Sequence, residues 1–302
     1  MPKWLIYSTV SMLIWAIWSL LSPLASRDLS SSMIQILSSA GIIPFALLLL
    51  FSKNLKKGAH FGKGWLLALA TGITGGAGNI MLYNALGHDG PASLVFPIIS
   101  MAPVIPVLAA PFLFKEKIRG IQAFGIGVAL IAILLLNTSP SSAPTVSAFS
   151  LFSKWMLYTL LALLIFGITF ITQKGATYFI SDELSTVAFA VGFVLLDIFL
   201  LLTERSLSWN IGAKAGWVSV FIGILMGAGS LTLFAAYRHG KASIVTPFSQ
   251  LFAIITVLVA VPLYHESIDL LRGIGIVAAL GAGLMLSIER TDSLAVQETV
   301  GG

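Results

Sequence analysis

Apolar residues gather into ten runs along this chain, separated by short breaks that hold most of the charged and turn-forming residues. The runs cover about 3–24, 30–51, 63–86, 91–114, 118–137, 154–175, 183–203, 214–237, 241–264 and 268–288. A helix that crosses the hydrocarbon of a bilayer needs roughly 20 mostly apolar residues, so each run predicts one transmembrane helix. Lys3 ahead of the first run has the look of a secretory leader. That run, however, outlasts a leader's apolar core of about 7–15 residues and ends at Pro23-Leu24-Ala25, a poor cleavage site. It is expected to stay as the first span.

The runs are not independent of one another. Shifted by 150 residues, Gly90-Pro91-Ala92-Ser93-Leu94-Val95-Phe96-Pro97 falls on Gly240-Lys241-Ala242-Ser243-Ile244-Val245-Thr246-Pro247. Glu116 then meets Glu266, and Gly125-Ile126 meets Gly275-Ile276. Over Ala85–Leu136, 20 of 52 positions are identical. Self-similarity in so fixed a register marks a tandem duplication. The expected fold is an all-α polytopic membrane protein of ten transmembrane helices in two five-helix repeats, residues 1–137 and 154–288. A Ser- and Pro-rich linker, 138–153, joins them, and a polar tail, 289–302, follows.

Composition points to lipid as the solvent. Hydrophobic residues make up 57% of the chain and charged ones 10%, with a mean hydropathy of +0.98. A soluble domain carries about 25% charged residues to cover its surface. Cysteine is absent, which excludes disulfides and thiolate metal sites. The net charge of +5 is spread over the loops, so no basic face for nucleic acid is expected.

Basic residues collect on the cytoplasmic side of membrane proteins. With the N-terminus in the cytoplasm, 12 of the 17 Lys and Arg fall on that side and 5 on the other. Five spans per repeat is an odd number, so the two copies are expected to enter the membrane from opposite sides. Equivalent loops carry opposite charge, as inversion requires: Lys115-Glu116-Lys117 is net basic where His265-Glu266-Ser267 is acidic, and His88-Asp89 is acidic where Arg238-His239-Gly240-Lys241 is basic. The expectation is a multi-pass integral protein of the plasma membrane (the inner membrane in a bacterium), both termini cytoplasmic. Inverted repeats are an architecture of secondary transporters, with the substrate site near the midplane between the halves.

Ten spans in two five-span halves, with Ala235-Ala236-Tyr237, Ala242-Ser243, Pro247 and Glu266 in the second, resemble the EamA-type permeases of the drug/metabolite transporter superfamily. The Ala-Ser-x-x-x-Pro and Glu arrangement stands in both copies, and the resemblance runs to about Ser287. It implies an alternating-access cavity between the halves and the export or exchange of amino acids, metabolites or drugs, with no particular substrate. The pattern departs from symmetry where Arg238-His239 faces His88-Asp89.

The candidate site residues are polar or helix-bending groups set inside apolar runs. Pro97 and Pro247 fall at one repeat position, and each frees a backbone carbonyl one turn earlier. In lipid such a carbonyl is tolerated where protein or a watered cavity satisfies it. Ser100 and Gln250 lie one turn beyond, and are expected to approach one solute from opposite sides. Asn79 and Tyr83 are four apart in the third span, Thr169 and Gln173 four apart in the sixth, and Trp15 stands on the Ser11–Ser19–Ser22 side of the first. Each set shares a helix face. These residues line a solute pathway or, as single polar groups in membranes often do, pack helix against helix. Asp197 in the seventh span couples protons, reaches the outer interface or pairs with Arg205. Glu116 and Glu266, at matching span ends, are expected to clamp neighbouring helix ends. His88 and His239 have no companions for a metal, and no cofactor is expected.

The resulting reading is a secondary transporter, not an enzyme, for a small-molecule substrate of modest charge, with proton coupling and oligomeric state left open. An intramembrane enzyme would need a cluster of catalytic residues that cannot be assembled here. A non-transporting scaffold or receptor would use the repeats for packing alone.

Overall fold

The computed structural model describes residues 2–56, 58, 60–113, 120–136, 153–204, 207–240, 245, 248–266 and 268–286. Their helices run α1 Lys3–Ser26, α2 Ser31–Leu49, α3 Phe61–Gly87, α4 Ala92–Ile99, α5 Val104–Leu113, α6 Gly120–Leu136, α7 Lys154–Thr177, α8 Asp182–Thr203, α9 Ala213–His239, α10 Phe252–Tyr264 and α11 Leu270–Leu286. Six of them (α1, α2, α3, α7, α8 and α9) are long and apolar enough to cross a membrane. The other predicted spans are shorter: α6, α11, the α4–α5 pair, and α10 with the turn before it. Ten spans fit this arrangement. The linker, the tail, Pro247, Arg205 and Glu116 lie outside the described residues.

Local sequence sets the helix ends. Ser30 and Ser181, at equivalent places in the two halves, each accept a hydrogen bond from the backbone N–H three residues on, Met33 and Leu184. That satisfies one of the donors a helix start leaves free. Outside, large apolar side chains such as Leu48 (71% exposed) and Leu202 (78%) have little protein cover, as lipid-facing positions should. Inside sit Ser11, Ser19, Ser22, Gln35, Ser38 and Thr256, all fully buried. This inverts the pattern of a water-soluble core. Small polar residues let helices approach and bond to one another where hydrocarbon supplies no driving force.

Span four is not the continuous helix expected over 91–114. It breaks at Ser100–Pro103 into α4 and α5. Met101 N–H skips one residue to reach Ile98 O at 3.1 Å, and Val104 N–H reaches Met101 O at 2.9 Å. Pro97 and Pro103 have no N–H to give. The second copy has the same break: Leu251 N–H reaches Phe248 O at 3.2 Å and Ile254 N–H reaches Leu251 O at 3.0 Å. Those three residues lie 150 beyond their counterparts, so the duplication extends to individual backbone bonds.

Packing between halves follows the same rule. A Cβ on Gly72 would meet Phe189 O at 2.1 Å, and one on Gly223 would meet Ser38 O at 1.7 Å. A Cβ on Gly192 would meet Leu69 O at 2.3 Å, and one on Gly41 would meet Val220 O at 1.9 Å. Each contact repeats the other with the halves exchanged: α3 packs on α8 as α9 packs on α2. The first helix of each half likewise packs on the third of the other, α1 on α9 and α7 on α3. Gly275, near the start of α11, touches Leu135 and Leu136 at the end of α6, so these equivalent helices meet end to start.

Candidate solute-binding site

Two ends of the bundle frame the site. At one, Arg238 pairs with Asp182 at 2.7 Å, and Tyr7 stacks on His239. At the other, Glu266 accepts hydrogen bonds from the backbone N–H of Ala92 at 2.7 Å and of Ser93 at 2.9 Å. A carboxylate there satisfies the free donors of α4 and complements its dipole. The clamp expected of Glu266 is present, and it joins the second half to the first. Beside it Tyr264 donates to Leu20 O, and the Arg27 guanidinium lies over the Tyr264 ring at 5.2 Å.

Between these ends lies a cavity lined by Trp15, Trp18, Thr71, Gly75, Asn79, Ile99, Phe166, Thr169, Phe170, Gln173, Phe189, Met226, Ser230, Leu233, Ser249, Gln250 and Phe252. Its volume is about 80 Å³, several times what one water needs. Both halves contribute walls. Trp18, Phe96 and Phe252 stand in mutual edge contact, with centroids 5.6, 6.2 and 6.5 Å apart. Trp18 and Phe252 line the cavity, and Phe96, nearer the start of α4 than cavity-lining Ile99, puts this aromatic cluster on the Glu266 side of Ile99.

Of the nine residues predicted from the sequence, Trp15, Asn79, Thr169, Gln173 and Gln250 line this one cavity. Three others are buried beside it, and Pro247 lies outside the described residues. Tyr83 is 1% exposed in the packed core. Ser100, also 1% exposed, donates its hydroxyl at 2.6 Å to Pro97 O. That is the carbonyl that Met101 N–H passes over, so the serine mends the broken helix locally. Ile99, its neighbour, is the one that faces the space.

The hydroxyls and carboxamides of the cavity differ in what they hold. The Thr71 hydroxyl is hydrogen-bonded with Leu67 O and the Thr172 hydroxyl, and the Thr169 hydroxyl with Ile165 O and the Thr74 hydroxyl. Among the described residues Asn79 reaches only the Met226 sulfur, at 3.6 Å. The side chains of Gln173 and Gln250 make no hydrogen bond to another described residue.

Asp197 lies apart from the cavity. It is 6% exposed and accepts a hydrogen bond from Gln35 Nε2 at 3.3 Å. Gln35, from α2, packs against Gly76 of α3. The sequence reading missed Gln35 as the partner, left Trp18 out of the site residues, and missed Ser230 and the phenylalanines of the cavity wall. Thr71 and Gly75 were within reach, eight and four residues before Asn79 on the same helix face.

The EamA-like transporter family model matches residues 2–138 and 153–288. Two transporters from two strains of Helicobacter pylori, described as uncharacterized, align over 192 residues at 25% and 24% identity. The alignment covers 62% of this chain and 62% of either relative. A solved crystal structure of a protein superposes on 98% of this chain and 99% of its own with a TM-score of 0.61, at 15% identity, which shows a shared fold.

Proposed function

The chain belongs to the EamA-like transporter family, and from that premise we propose that it is a secondary transporter working by alternating access on a small solute. It is a multi-pass membrane protein. One observation carries the reading: a cavity deep in the bundle, walled by both halves, in which five separately predicted residues converge. Transport in this reading exchanges which end of that cavity is open. The aromatic cluster and the Glu266 clamp stand at one end, so the conformation corresponds to access from the Arg238 end.

We further read the two halves as inverted copies, with the Arg238 end and both termini cytoplasmic. The exchanged glycine contacts and the end-to-start meeting of α6 with α11 support the inversion. The charge count of the loops supports the orientation. Purified protein in liposomes tests the function. Solute-dependent flux of amino acids or other small metabolites, with and without a pH gradient, is expected. Turnover without flux, or neither, would replace the transporter with an enzyme or a scaffold.

A further inference from the structure

Three residues with carboxamide side chains line the cavity, and among the described residues these side chains have no partner but the Met226 sulfur. Asn79, Gln173 and Gln250 are 4%, 4% and 7% exposed, and they come from three different elements of both halves. A thioether is a weak acceptor, so the Asn79–Met226 contact leaves that amide nearly as free as the other two. A buried polar group left unpaired is costly. The neighbouring threonines have avoided that cost by bonding within the protein. Groups kept unspent in this way have their partner in what enters the cavity.

The rest of the wall limits that partner. Trp15 and Trp18 meet edge to face at 5.4 Å and 85°. Phe166, Phe170, Phe189 and Phe252 complete an aromatic enclosure. Aromatic faces and edges stack against a flat ring. No Asp, Glu, Lys, Arg or His is among the described lining residues, so an ionised solute group would lose its water without gaining a counter-charge. A carboxamide offers a donor and an acceptor side by side. It matches a solute edge with the same pair, as Asn and Gln match the edge of adenine.

We propose that the cavity selects a neutral, planar solute: an aromatic ring bearing an uncharged amide-type edge that both donates and accepts hydrogen bonds. This rests on the cavity being the solute site of the transporter. Three probes of nearly one shape separate the chemistry: nicotinamide (neutral), nicotinate (anionic) and 1-methylnicotinamide (cationic). Calorimetric binding to the full-length protein in detergent should show nicotinamide binding at least about tenfold tighter than either ion. Gln173→Leu and Gln250→Leu, checked for unchanged thermal unfolding, should each weaken nicotinamide about tenfold or more, the loss expected when a buried bond goes unmade. Asn79→Asp should narrow the gap between the cation and nicotinamide. Equal or tighter binding of either ion to the unaltered protein, or no binding of any probe, would overturn the proposal. Counterflow in liposomes keeps the two readings apart. Nicotinamide bound but never moved would contradict transport while upholding the selectivity. Flux of an ion in preference to nicotinamide would uphold transport and sink the selectivity.

Discussion

Ser100 and Gln250 occupy one repeat position, yet the structure puts them to different uses. Gln250 lines the cavity with a free carboxamide, whereas the Ser100 hydroxyl closes onto Pro97 O. Gln250→Leu is therefore expected to lower apparent solute affinity about tenfold to a hundredfold, with unfolding temperature near normal. Ser100→Ala should cost about 1 kcal/mol of stability and leave affinity within about twofold. Concentration-dependent flux beside thermal unfolding in detergent reads both. Asp197→Asn keeps an acceptor for Gln35, so the pH response of transport should persist. A flux that no longer answers to a pH gradient would make Asp197 the coupling group. Polar side chains in apolar runs were legible as site candidates because hydrocarbon offers them no partner. Trp18 and the phenylalanines were not, since a lipid-facing ring and a cavity-facing ring have the same local sequence.

Helices in this bundle meet through glycine. Gly41→Ala or Gly223→Ala would push a methyl into a facing carbonyl, closer than 2 Å in both cases, and each should destabilise by about 1–3 kcal/mol. Gly62→Ala meets nothing within 4 Å and is the matched control, expected to change detergent stability little. Gly72-x-x-x-Gly76 and Gly223-x-x-x-Gly227 have the four-residue glycine spacing that lets helices approach closely. Which helix would fill them was not written locally, because any neighbour with a small residue would do. The prolines showed where spans four and nine would weaken. They did not show that the turn would fall three residues past Pro97, since a proline's missing N–H does not say where the next three-residue bond will form. At the Glu266 end, Glu266→Ala should remove the acceptor of two N–H groups and weaken the start of α4 by about 1–2 kcal/mol. Thiol labelling of Ala92→Cys should quicken in that background, and an unchanged rate would mean that the clamp holds nothing shut.

For the molecule as a whole, the duplication was legible because 150 residues separate both the sequence matches and the backbone breaks. The exchange of partners, first helix of one half on third helix of the other, was not, because apolar periodicity alone does not choose among lipid, sister helix and opposite half. That exchange is what places a cavity between the halves, and alternating access is the claim that most needs testing. The chain has no cysteine, so Ser230→Cys puts a single thiol into the cavity wall, 2% exposed and lined by both halves around it. The decisive measurement is its rate of reaction with a membrane-impermeant thiol reagent applied from either side of sealed vesicles. A transporter that alternates predicts reaction from both sides, faster from the Arg238 end, with a transported solute slowing both. Reaction from one side only, whatever solute or gradient is supplied, would contradict it.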